Sequence, residues 1–556
     1  MRKAVFLTAA VLAAVIFFLL ATLPPLPRAV AWTGDADLAR RTMAGAYHVH
    51  TTRSDGAGDK AAVAAAAAEA GLRFVILTDH GDGTRRPDPP EYINGVLCID
   101  AVEISTSGGH YVALGIGAAP YPLGGEPDGV VEDVARLGGF GVVAHPDSAR
   151  PELAWTDWRP AFDAVEWLNA DSEWRNETRG RLARVFFDYM LRPGPALASI
   201  LDRPSVSLAR WDGLTARRPV VALAGHDAHG GIGRTAESGR RSSVLGVPSY
   251  AASFRSFSTR VVLHAPLSGD AAADADAVLR AMRGGRVFTA IDALAGPAVL
   301  DFHAVRAGDG VETAMGSVLP PGPESIVVNA TLPAGGRIVL LRNGAELASA
   351  DRGELRIEEH HAAGAYRVEV RVPGAPGTPA IPWLLSNPIY FLAPAAPEPR
   401  SATPTVPLPH DVSWHVENDR GSTGSIVPSP TEVAFYYRLR AGVRRSQFAA
   451  LVAEIQGRSG AFEQIRFTGQ SGKPVRISVQ LRYPDGGGVR WGRSVYLDST
   501  PRDVTIPLSE MLPADRQTGR APALPGASSL LFVADLTNAR PGDANTIRIS
   551  QAGFGQ

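Results

Sequence analysis

Seven histidines in the first half of the chain, His48, His50, His80, His110, His145, His226 and His229, are the side chains best placed to do chemistry together. Six of them stand at or just past the end of a short apolar run, in AYHVH, FVILTDH, GFGVVAHP and VVALAGHDAH. Asp55, Glu103 and Asp227 occupy similar positions and add the carboxylates that divalent cations take alongside imidazole. Singly these motifs say little. His48-x-His50 and Asp227-x-His229 each fit two side chains packed on one strand face, and His145 before Pro146 fits an ordinary strand end. Their recurrence at successive strand ends points to one multinuclear metal site. A water shared by two such cations loses a proton near neutral pH, and the resulting hydroxide attacks an ester without any Ser or Cys nucleophile. Phosphate esters profit most, because their anionic oxygens bind the same cations. Turnover is expected to depend most directly on Glu103, Asp227 and His229. Arg150 and Arg234, each a few residues beyond a ligand, are candidates to hold a phosphate bidentately, and His226 is a candidate substrate contact. Asp79, Glu166 and Asn169 are expected to orient the ligands from behind. The one cysteine, Cys98, lies inside an apolar run and reads as a small core residue.

Bringing these side chains to one place calls for strands whose C-terminal ends share a rim. From Gly45 to about Ala228 short apolar runs alternate with helix-like stretches, which predicts an α/β domain. The expected strands are 46–49, 74–77, 97–104, 111–116, 140–144, 164–168 and 220–224. Helices are expected over 59–70, closed by a glycine cap at Gly71, and over 173–190 and 274–282. After about Gly296 alternation replaces helical periodicity, and Asn343-Gly344 between two alternating runs fits a hairpin turn, so a β-sandwich follows. Residues 393–409 are dense in Pro, Ala, Ser and Thr and read as a linker. Beyond them further alternating runs, with Trp414 and Trp491 as core or glycan-stacking aromatics, predict a second sandwich of jelly-roll type. The expected boundaries are 42–295 for the α/β domain, 296–395 for the first sandwich, 396–409 for the linker and 410–556 for the second sandwich.

At 556 residues the chain is too long for one core, at roughly 100 to 200 residues per domain. Its 55 basic and 56 acidic residues leave a net charge of −1, so no broad positive field exists to hold nucleic acid. Arg2 and Lys3 precede an apolar run over 4–23, about 30 Å long as a helix, which matches a bilayer's hydrocarbon thickness. An N-terminal membrane anchor with the body outside is the first expectation for residues 1–31; a signal peptide cleaved after Ala29-Val30-Ala31 is the alternative. Either exports the protein.

HVHTTRSDG at 48–56, LTDH at 77–80, Glu103 with GGHY at 108–111, AHPD at 144–147 and GHDAHG at 225–230 together resemble the PHP (polymerase and histidinol phosphatase) superfamily. GGRVFTAIDALAGPAVLDF at 284–302 and IPWLLSNPIYF at 381–391 resemble its CehA/McbA branch. The resemblance implies a distorted (β/α)7 barrel with two or three divalent ions, Zn, Mn or Fe. It implies one metal position from His48, His50, Glu103 and Asp227, with Glu103 bridging; a second from Glu103, His110 and His145; and a third from Asp55, His80 and His229. His226 departs from the pattern, where a small residue is usual. The expected activity is phosphoester hydrolysis. Carboxylic ester or carbamate hydrolysis is the alternative that the branch implies. The third reading is a non-catalytic, metal-stabilised binding protein whose sandwiches contact glycan or envelope.

Overall fold

The computed structural model describes residues 2–235, 241–322, 324–358, 363–393, 405–408, 412–442, 445–455, 462–484, 489–514 and 526–555. In the first domain the strands form a ring. Thr42–Val49 lies parallel to Phe74–Leu77. Val221–Gly225, Ala164–Asn169 and Phe140–Val143 lie parallel to one another, and Gly109–Leu114 and Val102–Thr106 complete their sheet in antiparallel fashion. Single bridges join the two sheets, Val49 with Ala228 and His80 with Glu103. His50 N donates to Ala228 O and Gly81 N to Glu103 O at these seams, each at 3.0 Å. Tyr47, Ile76, Val112, Val142 and Leu223 pack in one buried cluster drawn from strands all round the ring, so the interior is solid.

Two expectations change here. The strand expected over 97–104 divides at Ala101: Val96–Asp100 pairs with Phe74–Leu77, and Val102–Thr106 crosses into the other sheet. That crossing sets Glu103 on the seam. The ring is also not wholly parallel, and His110 enters it from the start of an antiparallel strand.

The alanine-rich stretch forms the helix Lys60–Glu69, where Asp59 accepts from Ala62 N at 2.9 Å and Gly71 takes φ +79° just past the end. The helix expected over 173–190 is broken into Ala170–Arg175 and Arg179–Leu191. Asn169 and Thr178 each cap a new start, accepting from Ser172 N and Arg181 N, so two local caps win over one continuous apolar pattern. Ala271–Arg283 is a single helix.

No sheet boundary falls at 295. Ser258–Val262 and Val287–Ala290 continue the barrel sheet, and Leu384–Ser386 and Gly364–Arg371 extend it into the second module. A separate four-stranded sheet containing Leu300–Val305 and Ser325–Ala330 packs with it around Phe302, Val328, Leu340 and Trp383. Asn387 stitches the join: its side chain accepts from Ala222 N and donates to Ala222 O and Val287 O. Ala222 lies on the strand that ends at Gly225, so this module steadies the approach to Asp227. Asn343-Gly344 forms the turn between Arg337–Arg342 and Ala345–Ala350, both residues in left-handed backbone.

Much of the expected linker, 394–404 and 409, lies outside the described residues. Thr405–Pro407 inside it is a strand paired with Ala544–Gly555, so the last sandwich begins earlier than expected, the backbone pairing outweighing the loop-like composition. Among the described residues that sandwich has two six-stranded sheets around Phe435, Leu451, Val479 and Phe532. Trp414 and Trp491, both half-buried, pack against this core. The sandwich docks on the barrel through Arg476, buried against Asp133 (2.9 Å) and Glu132 (3.0 Å), and through Asn538, which donates to Pro122 O at 2.9 Å.

Residues Arg2–Ala21 form a helix, and Arg28–Ala29 pairs with Ala295–Gly296. Arg184 and Arg192 donate to Leu19 O and Pro24 O. Among the described residues no helix is long and apolar enough to cross a membrane; many side chains of Arg2–Ala21 lie outside that description.

Candidate metal centre

His48, His145 and Asp227 stand at strand ends with φ of 64°, 30° and 46°. Left-handed backbone costs a residue with a Cβ on the order of 1–3 kcal/mol, and it persists where surrounding structure imposes it. Here it turns three side chains out of the strand direction toward one point.

Glu103 is at that point. Its Oε2 lies 3.4 Å from His48 Nε2, 3.3 Å from His50 Nε2 and 3.1 Å from His80 Nδ1. Its Oε1 lies 2.8 Å from His110 Nδ1 and 2.9 Å from His145 Nε2. Asp227 Oδ1 lies 3.6 Å from His48 Nε2 and 3.2 Å from His50 Nε2. Metal bonds of about 2.0–2.2 Å in a tetrahedron put neighbouring ligand atoms about 3.3–3.6 Å apart. The contacts of His48 and His50 with Glu103 (3.3–3.4 Å) and with Asp227 (3.2–3.6 Å) are close to that spacing, although Asp227 gathers with His48 and His50 while Glu103 gathers with His48 and His145. His48 Nε2, His50 Nε2 and Glu103 Oε2 are also buried with no hydrogen-bond partner, a costly arrangement that a cation among them would relieve. The residues present therefore fit a metal.

Ring tautomers, assigned from the partners, point the same way. His48 Nδ1 donates to Glu166 Oε1 at 2.6 Å and His145 Nδ1 to Leu153 O at 3.1 Å, so each Nε2 turns a lone pair inward. Lone pairs facing a carboxylate need a cation between, either a proton or a metal. Burial alone would lower His48, yet the Glu166, Asp227 and Glu103 carboxylates outweigh it and hold it well above the usual range. Burial would raise Glu103, but the surrounding imidazoles, His48 first, hold it well below the carboxylate range.

The third expected set also gathers: Asp55, His80 and His229 converge together with His50, with His229 Nε2 3.2 Å and His80 Nε2 3.8 Å from Asp55. The second divides. His110 converges with Glu103 and His80, whereas His145 converges with Glu103 and His48. Glu103 thus touches every part of the cluster.

The supporting residues are distributed less evenly. Glu166 holds His48 and accepts from His145 N (2.8 Å) and Asn169 Nδ2 (2.8 Å), and Asn169 also caps the next helix. Among the described residues Asp79 meets no imidazole directly and reaches His50 only through Ser54, whose Oγ lies 3.4 Å from His50 Nδ1. Its carboxylate accepts from Thr51 N and Oγ1 and from Ser54 N and Oγ, fixing the turn that carries Asp55. His226 faces away from the cluster: it stacks on Phe257 with ring centroids 4.2 Å apart, and its Nε2 lies 3.0 Å from Phe257 O. Burial pushes it down to about 4, so it is a neutral core residue and no substrate contact. Arg150 is exposed and its side chain makes no hydrogen bond or ion pair with the cluster. The Arg234 side chain lies outside the described residues. Tyr250 escaped the sequence reading: its hydroxyl donates to His50 O at 2.8 Å and accepts from Gly58 N, tying a distant helix to the ligand loop.

No family model matches the chain, and no curated protein matches it. Among solved structures it is similar to a two-domain protein containing a predicted PHP-like metal-dependent phosphoesterase from Bacteroides vulgatus, at 11% identity over 66% of this chain and 99% of that one, with a TM-score of 0.28. Its other similarities include the family 11 carbohydrate-binding module of the cellulase Lic26A-Cel5E of Clostridium thermocellum, at 17% identity over 28% of this chain and 97% of the module, with a TM-score of 0.23.

Proposed function

We propose that the chain is a metal-dependent hydrolase of the PHP type acting on phosphate esters. One observation carries the reading: the Glu103 carboxylate lies within 3.4 Å of five imidazoles, three facing one oxygen and two the other, as a bridging ligand requires. His48, His50, Glu103 and Asp227 would hold one divalent ion, and Asp55, His80 and His229 would help hold another. Such ions supply Lewis acidity and a water acidic enough to ionise near neutral pH. The chain's own part is to hold the ligands, through Glu166 on His48 and Asp79 on the Asp55 turn, in a site where most ligands are buried.

The carboxylic ester or carbamate alternative draws support from two arginines beside Asp79 and His80. Arg53 is engaged by Asp88 and Asp100, and Arg85 by Asp100 at 2.7 Å, which leaves neither free to clamp a phosphate. Purified full-length chain, loaded with Mn or Zn, is therefore given p-nitrophenyl phosphate, bis(p-nitrophenyl) phosphate and p-nitrophenyl acetate. Metal-dependent release from a phosphate ester is the expected result. Release from acetate alone would move the assignment to the carbonyl class, and release from none would end the hydrolase reading. Export rests on the apolar run at 4–23; recovery of the full chain with membranes after alkaline washing is expected, and recovery in the wash would remove the anchor.

A further inference from the structure

We propose that a cavity beside the cluster seats the non-reacting group of the substrate, and that this group is uncharged and about one ring in size; the proposal rests on the hydrolase reading above. The cavity, of about 200 Å³, is bounded by Asp79 and His80 on the cluster side and by Gly81, Val102, Ile116 and Gly117 beyond. His80 is the most exposed of the imidazole ligands, at 36% of its side chain, so this is where the cluster meets bound material.

Size sets the first limit. A cavity of about 150 Å³ lined by apolar side chains holds benzene. Some 50 Å³ more admits a substituted ring or a branched chain, and falls short of a nucleoside or an oligosaccharide. Charge sets the second. Arg53 and Arg85 line the cavity but are engaged by Asp88 and Asp100, and the Asp79 carboxylate accepts four donors. Among the described residues neither Asp79 nor Asp82 has an ion-pair partner, and Asp82 Oδ1 accepts only from Thr84 N and Oγ1. An anionic group would meet the Asp79 and Asp82 carboxylates, with Arg540 one hydroxyl away as the cation near Asp82, whereas an uncharged group carrying a hydroxyl or amide finds acceptors there.

The last sandwich shares in this wall. Arg540 donates to Thr84 Oγ1, the hydroxyl that donates to Asp82, so the loop bounding the cavity is held from a distant part of the chain.

The test compares methyl, benzyl and diphenylmethyl esters of the class that turns over, since their alcohols leave with similar ease. The full-length, metal-loaded protein is expected to prefer benzyl over methyl by about tenfold in kcat/KM, with diphenylmethyl poor. A Cβ at Gly117 would meet nothing within 4 Å, so Gly117→Leu adds bulk without a backbone clash. It is expected to lower the benzyl-to-methyl ratio about tenfold, and Val102→Ala to raise the share of diphenylmethyl. Ratios that stay within about twofold in both variants would overturn the proposal. Binding of benzyl alcohol, read by ligand-observed NMR, separates the two readings. If wild type binds it, Gly117→Leu does not, and no ester turns over, the cavity assignment stands while the hydrolase reading falls. No binding and no preference sinks the cavity assignment.

Discussion

Glu103→Gln is expected to strip the centre of most of its metal and to lower kcat/KM by at least about 10³-fold, roughly 4 kcal/mol of transition-state stabilisation. Glutamine has nearly the same shape, so the fold around Val102–Thr106 is kept and the change is one of charge and ligation. It removes the negative charge that five imidazoles share, and an amide NH₂ replaces one oxygen that faces lone pairs on either His110 and His145 or His48, His50 and His80. Glu166→Gln provides the graded comparison. It can keep an acceptor for His48 Nδ1, but it loses the charge and puts an NH₂ where an oxygen accepted from His145 N and Asn169 Nδ2, so the expected loss is about 10- to 100-fold in activity or metal affinity. Metal content per chain by elemental analysis, measured with turnover on the same samples, checks both. A Glu103→Gln protein that keeps its full metal complement and activity within tenfold of wild type would rule out Glu103 as the shared ligand.

The ligand set was readable because each member sits at a position that the chain marks twice, by residue type and by the end of an apolar run. Reading the motif GHDAHG as a block concealed His226. Asp227 and His229 are two residues apart and reach the same cluster, so His226, the residue just before Asp227, faces the other side, where it lies between Tyr47 and Phe257. That alternation was available in the sequence. The break at Ala101 was not, since Val96–Thr106 is apolar and extended on both sides of it and only pairing with two different sheets divides it. The role of Asp79 was hidden for a similar reason. A carboxylate beside a histidine looks like a partner for imidazole, but the Thr51 and Ser54 donors that claim it come from a turn on another strand. Tyr250 carried no local signal, because its contact with His50 spans 200 positions. The second module looked separate because its periodicity differs from that of the barrel. Strand periodicity reports which face is buried and says nothing of which sheet a strand joins, and Leu384–Ser386 joins the barrel's.

Stripped of metal, the chain is expected to lose thermal stability as pH rises from about 6.5 to about 9, while the metal-loaded chain stays level over the same range. Burial alone would lower His145 and His229. The hydrogen bond to Glu103 outweighs it for His145 and the one to Asp55 for His229, and both are held up at about 9. In the unfolded chain each returns to about 6.5. A folded pKa above the unfolded one stabilises fully below the unfolded value, and that contribution is lost as pH climbs through the folded one. Each such group contributes on the order of 3 kcal/mol. Glu103, Asp227 and Asp55 are held low, so they remain ionised throughout this window and their contribution fails only on acidification. The fall between pH 6.5 and 9 therefore reports chiefly the imidazoles, with Glu173, pushed up to about 7 by burial, adding at the lower edge. Metal takes the place of the protons on His48, His145 and His229, so loading near pH 7.5 is expected to release about three protons per chain, and affinity should rise with pH across the same window. Melting of stripped and loaded protein at half-unit steps, with titration calorimetry in two buffers of different ionisation enthalpy, measures both quantities. Stability of the stripped chain that is flat or rising from pH 6.5 to 9, or loading with no proton release, would mean that these imidazoles do not hold protons where a metal would sit.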